Sequence, residues 1–385
     1  MTKSQMIQIL TQSEKISKEY DLCENCLGRL FSKKLGVSSN KLLGKKLRRK
    51  LKQKTTKCFI CKNMFSNIQS YVDKMLEISS NFQFSTFVTG AILKPSFVDR
   101  DDSIRSKFKL RGIDSLKTEL TREISKEFQK KTKKKIDFQN PDITFTINFK
   151  NDSCELRSKS IYLFGRYTKN RRDFPQKQKS CENCNGKGCV TCKQHGISRF
   201  DSVEGKISEY LFKKFGAIQA KITWIGGEDK QSLVLGRGRP FFVKLINPKK
   251  RKVLPIKKVN LEQISISNLK IIEHIPKVPI PFKSKILIQI ITDGDVNSSI
   301  LKNLKSIKKI PILVSEKPGK ESIKSVYELR YKKTSPNSFS LNLTVDGGLP
   351  IKRFVEGDSV KPNISEILDL KCKCKEFDFY SVELQ

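Results

Sequence analysis

Acidic residues are scarce in this sequence of 385 residues. It has 39 Asp and Glu against 77 Lys and Arg, which gives a formal net charge of +38. Such an excess of one charge destabilises a folded chain by self-repulsion unless a partner of opposite charge is bound. Nucleic acid is the favoured partner, because phosphates neutralised by Lys and Arg release their counterions. A membrane surface is the alternative partner. A high lysine content can also reflect a lysine-rich composition shared by all proteins of an organism, without any specific partner.

Long apolar runs are also missing. No run approaches the roughly 18 residues that a membrane-spanning helix needs. The segment Met1–Leu22 alternates polar and apolar residues, where a signal peptide would have an apolar core. We therefore expect a cytoplasmic monomer that binds no membrane. The length allows two or three domains with hydrophobic cores.

Two nucleotide-binding fingerprints are missing as well. The chain contains neither the Rossmann-type glycine pattern nor the P-loop pattern G-x-x-x-x-G-K-[ST]. Their absence disfavours a tRNA methyltransferase or thiolation enzyme that carries an accessory RNA-binding domain.

Cysteine is well represented, and eight of the 11 cysteines form C-x-x-C pairs. In a reducing compartment such pairs indicate zinc ligands rather than disulfides. The first two pairs flank a basic stretch, Lys41–Lys54, and consist of Cys23, Cys26, Cys58 and Cys61. Their separation exceeds the commonest zinc-ribbon spacing, so buried free thiols are the alternative.

A second cysteine group is more compact and has glycines available for tight turns. It consists of Cys181, Cys184, Cys189 and Cys192. The spacing predicts a four-thiolate metal site. Four thiolates complete a tetrahedral site, so we interpret the nearby His195 as a loop residue.

The stretch Gly226–Phe242, G-G-E-D-K-Q-S-L-V-L-G-R-G-R-P-F-F, places a pair of carboxylates after two glycines and before two arginines. Glycines let a backbone approach a ligand closely, and arginine grips phosphate in a planar fork. Glu228 and Asp229 beside Arg237 and Arg239 therefore suggest chemistry on a polyanion. The alternative is a hairpin turn with solvated acids.

A second basic run lies between residues 164 and 176. Tyr167 is suited to stack on a base, and four cations are suited to bind phosphate. These cations are Arg166, Lys169, Arg171 and Arg172. An edge strand with solvated charges is the alternative.

Periodicity predicts an α+β protein, with helices and strands that alternate along the chain. Helices are predicted at Ser4–Tyr20, Gln69–Ile78, Ser115–Gln129, Ser202–Phe215 and Asn297–Ile307. Strands are predicted at Phe82–Val88, Asp142–Phe149, Lys159–Phe164, Ile222–Trp224, Phe241–Ile246, Lys285–Ile291, Val326–Tyr331 and Ser338–Val345. The segments Ile364–Leu370 and Phe377–Val382 end the pattern without an assigned element.

Six motifs in the same order resemble those of the archaeal and eukaryotic "Pus ten" family of tRNA pseudouridine synthases. They are L-C-E-N-C-L-G-R-L-F from Leu22, R-G-I-D-S-L-K from Arg111, G-R-Y-T-K with P-Q from Gly165, E-D with L-G-R-G-R-P-F from Glu228, G-G-L-P-I-K from Gly347, and I-S-E-I-L from Ile364. The resemblance extends from Leu22 to the C-terminus. It implies an N-terminal zinc-binding segment, a THUMP-like α/β RNA-binding domain and a C-terminal mixed-sheet pseudouridine synthase domain. We place these at residues 1–70, 71–178 and 198–385, with the cysteine knuckle at 179–197.

This resemblance also implies an activity and a site. The enzyme would isomerise uridine to pseudouridine in the T-loop of tRNA, with structural zinc and no organic cofactor. Asp229 matches the essential aspartate, Lys352 a lysine beside the pocket, and Ile351 an apolar wall for the base. Arg239 would orient the loop or bind phosphate. We expect Lys352 within salt-bridge reach of Asp229.

Three positions depart from the family pattern. Gly227 replaces an arginine that helps to flip the base in related synthases, Pro350 replaces a tyrosine, and Ile286 stands near an expected aromatic residue. A catalytically degenerate RNA-binding or tRNA-chaperone protein on the same scaffold is therefore the alternative function.

Overall fold

Residues 1–159 and residues 160–385 form two structural units. The computed structural model describes residues 3–37, 39–52, 57–252, 255–277, 279–317 and 320–385. Each unit is built around its own hydrophobic core.

The first unit combines a helical segment with a four-stranded sheet. Its helices are α1 (Lys3–Glu19), α2 (Glu24–Arg29), α3 (Ser32–Leu35), α4 (Asn40–Leu51), α5 (Ile68–Ser79), α6 (Pro95–Lys107) and α7 (Leu116–Thr132), with a 3-10 turn at Met64–Asn67. Its strands are β1 (Thr86–Ile92), β2 (Lys135–Ile136), β3 (Ile143–Asn148) and β4 (Ser153–Ser158). The strand order is β2-β1-β3-β4, with β1 parallel to both of its neighbours.

Local sequence accounts for α7. The Ser115 hydroxyl accepts the Thr118 N–H at 3.1 Å and so caps the first turn. Leu120, Ile124 and Phe128 recur every fourth residue and are fully buried. The helices predicted near residues 4–20, 69–78 and 115–129 are confirmed.

Helix α4 occupies the basic stretch for which no helix was predicted; residues 53 and 54 of that stretch lie outside the described residues. It crosses α2 at two glycines. A Cβ on Gly28 would lie 1.8 Å from the Asn40 carbonyl oxygen, and a Cβ on Gly44 would lie 1.8 Å from that of Glu24. Only glycine allows the two backbones to approach so closely.

The second unit is a mixed sheet with helices and a smaller sheet packed against it. Its strands are β5 (Ile161–Lys169), β6 (Gln219–Trp224), β7 (Val234–Ile246), β8 (Ile256–Leu261), β9 (Ile264–Ile272), β10 (Phe282–Thr292), β11 (Ile312–Lys317), β12 (Lys320–Lys324), β13 (Val326–Ser335), β14 (Ser338–Asp346), β15 (Val360–Lys361) and β16 (Cys372–Leu384). Its helices are α8 (Val203–Phe215), α9 (Ser298–Lys302), α10 (Ile351–Glu356) and α11 (Ile364–Leu368), with a 3-10 segment at Asn303–Lys309.

The large sheet has the order β13-β14-β10-β16-β7-β5-β9-β8, and β6 also pairs with β7. Strand β16 runs parallel to β7, whereas the other pairs are antiparallel, so the predicted mixed sheet is confirmed. Strand β5 belongs to this sheet, although the predicted boundary at residue 178 assigned it to the preceding domain. The small sheet has the order β12-β11-β15.

Within the described ranges, none of the helices combines the length and the apolar character needed to cross a membrane.

Candidate functional site

The loop between β6 and β7 carries the two adjacent carboxylates, Glu228 and Asp229. It begins at Gly226, whose φ is +73° and whose Cβ, if present, would lie 2.6 Å from the Phe282 ring. Glycine is therefore required at the start of the loop. The stretch does lie in a hairpin, because it joins the antiparallel neighbours β6 and β7, but the solvated acid expected with that alternative is not found at Glu228, whose side chain is fully inaccessible.

Glu228 is a buried carboxylate surrounded by cations. Its side chain is fully inaccessible, as are the side chains of Lys169 and, to within 1%, Arg239. The Lys169 Nζ lies 3.1 Å from Oε1 of Glu228, and the Arg239 Nε lies 3.5 Å from Oε2. The Tyr167 hydroxyl donates to Oε2 at 2.8 Å. Burial of these charges is tolerated only because they compensate one another.

The same cluster, which we call the Glu228 cage (Tyr167, Lys169, Glu228 and Arg239), holds the backbone of the loop. Lys169 also donates to the carbonyl oxygens of Asp229 at 3.3 Å and Lys230 at 3.4 Å. Arg239 donates to the Ile225 carbonyl oxygen at 2.8 Å. The cage therefore determines where Asp229 can lie.

Burial also controls the protonation of the cage. It raises the pKa of the Tyr167 hydroxyl well above its ordinary value, and the charge of Glu228 acts in the same direction. The tyrosine therefore remains a proton donor. Gln176 completes the cluster by donating to the Tyr167 hydroxyl at 3.0 Å and to the Gly226 carbonyl oxygen at 3.3 Å.

The structure buries three of the residues predicted to contact substrate. Tyr167 and Lys169 are 0% exposed and Arg239 is 1% exposed, so none of them presents a surface for a base or a phosphate. The other role expected for Arg239, to orient the loop, agrees with its hydrogen bond to the Ile225 carbonyl oxygen.

The alternative of an edge strand with solvated charges is wrong, because β5 lies between β7 and β9. The signal that was missed is the two-residue period of a strand, which places Tyr167 and Lys169 on the same face of β5 as the apolar Ile161 and Leu163. In the structure this face is buried.

Arg166 and Arg172 are likewise internal contacts rather than free phosphate ligands. Arg166 donates to the carbonyl oxygens of Gly238 at 3.0 Å and Val382 at 2.9 Å, and pairs with Glu383 at 2.9 Å. Arg172 makes a two-point contact with Asp378, at 2.9 and 2.8 Å.

The Asp378 carboxylate also fixes the second end of the loop. Its Oδ1 accepts the Leu233 N–H at 2.8 Å, and Arg172 donates to the Gln231 carbonyl oxygen. The loop is thus held at Glu228 on one side and at residues 231–233 on the other. Arg171 is exposed, and its contact with phosphate stays a prediction.

Asp229 differs from its neighbour in two ways: its side chain is accessible, and among the described residues only Lys352 forms an ion pair with it. Its Oδ2 accepts a hydrogen bond from Lys352 Nζ at 2.8 Å, and the two side chains are 28% and 48% exposed. The expected salt bridge between these residues is confirmed. The Gln231 N–H donates to the other oxygen of Asp229 at 2.8 Å.

These contacts lower the pKa of Asp229 below its ordinary value. Partial burial acts to raise it, but the hydrogen bonds from Lys352 and Gln231 and the charges of Lys352 and Lys169 outweigh that effect. The hydrogen bond to Asp229 raises the pKa of Lys352 in turn. Asp229 is therefore an ionised carboxylate at neutral pH.

Lys352 is placed by the start of α10. Pro350 is the residue before the helix, and Ile351, its first residue, is 4% exposed and packs into the core of the second unit. Burial of Ile351 directs the neighbouring Lys352 outward, to Asp229. That Ile351 also forms a wall for a base stays a prediction.

The first cysteine group can hold a metal ion. The sulfurs of Cys23, Cys26, Cys58 and Cys61 lie within 4.8 Å of one another, and that of Cys23 is 3.6 Å from that of Cys61. Four sulfurs about 2.3 Å from a tetrahedral metal are separated by about 3.8 Å, which these positions fit. The Phe59 N–H donates to the Asp21 carbonyl oxygen at 2.7 Å and joins the two pairs.

The second group fits a metal ion equally well. Its sulfurs also lie within 4.8 Å of one another, and three of the separations are 3.7, 3.8 and 4.0 Å. Backbone N–H groups of Gly188, Cys189 and Gly196 donate to the Cys184 and Cys192 sulfurs at 3.2–3.3 Å. A Cβ on Gly196 would lie 2.5 Å from the Gly186 carbonyl oxygen, so the turn requires glycine there.

His195 is part of the support of this second group. Its ring stacks on Phe212 at a centroid distance of 4.0 Å, and its Nδ1 lies 2.7 Å from the Ile218 carbonyl oxygen. Gln219 donates to the Lys187 carbonyl oxygen at 3.0 Å. These contacts attach the cysteine knuckle to α8 and β6.

Comparison with known proteins matches two segments of the chain to family models. Residues 162–383 match the model described as "Pus10, C-terminal", and residues 71–148 match "Pus10 THUMP domain, archaeal".

Whole-chain relatives carry the same family name. The chain is 53% identical to "tRNA pseudouridine synthase Pus10" of Nitrosopumilus maritimus over 98% of this chain and 99% of that protein. It is 33% identical to the protein of that name from Cenarchaeum symbiosum, over 95% and 90% of the two chains. With the one from Pyrococcus furiosus it shares 28% identity over 97% and 98%.

The Glu228 cage generates a prediction about stability. Glu228→Gln keeps the shape but leaves Lys169 and Arg239 buried without a countercharge, so we expect a loss of about 3–5 kcal/mol in the free energy of unfolding. Denaturant unfolding followed by fluorescence measures it, because the single tryptophan, Trp224, packs on Tyr167 at 5.7 Å.

The matched control is Glu209→Gln. This carboxylate is on α8, where it pairs with Lys213 at 2.8 Å, and the side chains are 32% and 76% exposed. Its loss should change the free energy by less than about 1 kcal/mol. Equal effects of the two substitutions would show that Glu228 has no structural role beyond that of a surface pair.

Proposed function

Because this chain belongs to the Pus10 family of tRNA pseudouridine synthases, we propose that it isomerises uridine to pseudouridine in the T-loop of tRNA, with Asp229 as the essential carboxylate. The observation that carries this proposal is the accessible, ionised Asp229, 2.8 Å from Lys352 and on a loop anchored by the Glu228 cage. The T-loop position rests on the resemblance of the sequence motifs.

The reaction rearranges one nucleotide and needs no oxidant or reductant. The bond between ribose C1′ and N1 of the base breaks, a bond between C1′ and C5 forms, C5 loses its proton and N1 gains one. A carboxylate serves this reaction either as a nucleophile at C1′ or as a base at the ribose, and both tasks require the ionised form. The lowered pKa of Asp229 favours the ionised form and therefore suits the carboxylate to either task.

The two acids have different tasks in this proposal. Glu228 is sealed from substrate by Lys169, Arg239 and Tyr167, so it positions the loop without contact to the reacting atoms. Asp229 and Lys352 retain accessible surface. Lys352 keeps Asp229 charged and oriented until a uridine, taken out of its stack, reaches the carboxylate.

We also assign zinc to both cysteine groups. Sets of four thiolates with separations near 3.8 Å suit tetrahedral zinc. In the first unit the ion would be held by Cys23, Cys26, Cys58 and Cys61, and in the second by Cys181, Cys184, Cys189 and Cys192. Zinc at a closed four-thiolate site supplies folding energy, so its role here is structural.

The first test concerns Asp229. Asp229→Asn keeps the shape of the side chain but removes its charge, and should abolish pseudouridine formation on an unmodified tRNA transcript while tRNA affinity is kept. The pure protein is incubated with transcript, pseudouridine is mapped, and affinity is measured in parallel. Glu209→Gln is the control, because it removes a carboxylate on α8, where it pairs with Lys213 at 2.8 Å, and leaves the loop unchanged.

Two outcomes would count against the proposal. Activity retained by Asp229→Asn means that another residue performs the chemistry. A wild-type protein that binds tRNA but makes no pseudouridine means that the chain is a degenerate RNA-binding protein, in keeping with Gly227 and Pro350.

A second test concerns pH. The ionised form of Asp229 is the active one and its pKa is below the ordinary value near 4, so the single-turnover rate should not decline between about pH 7 and pH 5 through this group. Lys352→Met removes the hydrogen bond and the positive charge but leaves the partial burial. The pKa of Asp229 should then rise, and the acid limb of the rate profile should move to higher pH.

Lys230→Met, an exposed lysine on the same loop, is the control and should leave the limb in place. An acid limb at the same pH in Lys352→Met and wild type would contradict the assigned role of Lys352.

A third test concerns metal. Protein purified without chelator should contain two equivalents of zinc by elemental analysis. Cys26→Ser with Cys58→Ser should lose one equivalent, and Cys184→Ser with Cys189→Ser the other. Cys154→Ser, outside both groups, should lose neither. Absence of zinc from the wild-type protein would rule out both assignments.

A further inference from the structure

Helix α4 presents an unusual number of cations on one side. Its sequence N-K-L-L-G-K-K-L-R-R-K-L contains no acidic residue. Five of its cations are exposed: Lys41, Lys45, Lys46, Arg49 and Lys50. At 100° per residue the first four, which we call the α4 basic face, lie on the half of the helix opposite the buried Leu43, Gly44 and Leu47, whereas Lys50 lies on the side of Leu43 at the C-terminal end.

Several cations on other helices of the chain are paired with acids one turn away. Lys18 pairs with Glu14 at 3.2 Å, Lys126 with Glu123 at 3.0 Å, and Lys130 with Glu127 at 2.6 Å. Across the described part of the chain, no carboxylate lies within ion-pair distance of any cation of the α4 basic face.

This arrangement is unfavourable for the helix by itself. Like charges four residues apart repel, and Lys41, Lys45 and Arg49 form one such row. Lys41 is also in the first turn, where the helix dipole disfavours a cation. Only Arg49 and Lys50, in the last turn, gain from the dipole. A bound polyanion would convert this repulsion into attraction.

The opposite side of α4 is held rigidly. The crossing with α2 at Gly28 and Gly44 brings the two backbones into contact, and α2 follows Cys23 and contains Cys26, two residues of the first cysteine group. The basic face is therefore displayed on a supported helix, which favours binding because little order must be gained.

We propose that α4 binds the sugar–phosphate backbone of RNA through this basic face. The row from Lys41 to Arg49 covers about 12 Å of helix at 1.5 Å per residue, long enough to contact several phosphates. This contact is an addition to the site in the second unit, and α4 lies outside both segments that match the family models. For the identity of the RNA it rests on the proposed function.

RNA is favoured over an anionic membrane because the apolar side of α4 is buried inside the protein. A helix that binds a membrane inserts its apolar face, but the apolar face of α4 is packed in the core of the first unit. One exposed apolar residue, Leu42, remains among the cations. Phosphate recognition by lysine and arginine needs no such face.

The test removes one row of charges with Lys41→Gln, Lys45→Gln and Arg49→Gln. Binding of unmodified tRNA transcript to the full chain is measured from about 50 to 200 mM salt. Loss of three phosphate contacts should weaken binding at least tenfold and should reduce the slope of log K against log salt by about 2–3. Glutamine suits a helix and removes the repulsion, so the unfolding midpoint should not fall. The rate of pseudouridine formation at saturating tRNA should be unchanged.

The matched control removes three paired cations from α7 in the same unit: Lys126→Gln, Lys130→Gln and Lys131→Gln. It should reduce affinity and slope far less. If both variants behave alike, or if the α4 variant binds like wild type, the inference is overturned while the proposed function stands.

Other outcomes separate the two proposals. If the wild-type protein forms no pseudouridine but the α4 substitutions still weaken its binding to RNA, the proposed function is wrong and the inference is supported. A protein that binds no RNA overturns both. Binding to vesicles containing phosphatidylserine that depends on α4, without any effect of α4 on RNA affinity, assigns the face to a membrane and overturns the inference.

Discussion

The buried charge of Glu228 is the constraint on which the loop between β6 and β7 depends. A carboxylate with no accessible surface must be compensated, and Lys169, Arg239 and Tyr167 do this from two neighbouring strands. Since Lys169 also binds the carbonyl oxygen of Asp229, compensation of one acid positions the next. The adjacent acids thus divide the work: one is buried to hold the loop, and the other stays accessible and ionised beside Lys352.

The sequence predicted the parts of this arrangement that depend on spacing or on motif identity. Each C-x-x-C pair follows from a short interval between thiols, although the first two pairs are far apart in the chain. The helices follow from apolar residues at every fourth position. The pair Asp229–Lys352 joins residues far apart in the chain, so only the family motifs, and no periodicity, indicated it. In the structure, burial of Ile351 directs its neighbour Lys352 toward the loop, and so brings Lys352 to Asp229.

The sequence-based prediction was wrong about side chains that suit two environments, a phosphate-binding surface and a buried ion pair. An arginine or lysine near an acid can grip a phosphate or can neutralise a buried carboxylate, and composition does not distinguish these uses. Tyr167 and Lys169 lie on the same face of β5 as Ile161 and Leu163, so the period of two contained the answer. For Arg239 no such signal existed, because the glycines at 236 and 238, with φ of +55° and +72°, interrupt the alternation in β7.

The internal use of Arg166, Lys169, Arg172 and Arg239 changes where a large positive charge can act. Each of these four cations is occupied by a carboxylate or a carbonyl oxygen. A net charge of +38 therefore attracts a polyanion through cations elsewhere. At the site itself, Gly227 leaves open space, because a Cβ there would meet no atom within 4 Å. Packing therefore does not require glycine at this position. The exposed cations of the stretch Gly226–Phe242, Lys230 and Arg237, each lie beside an acid. The cations of the α4 basic face have no acidic partner among the described residues, so α4 is a surface on which we expect phosphate to bind.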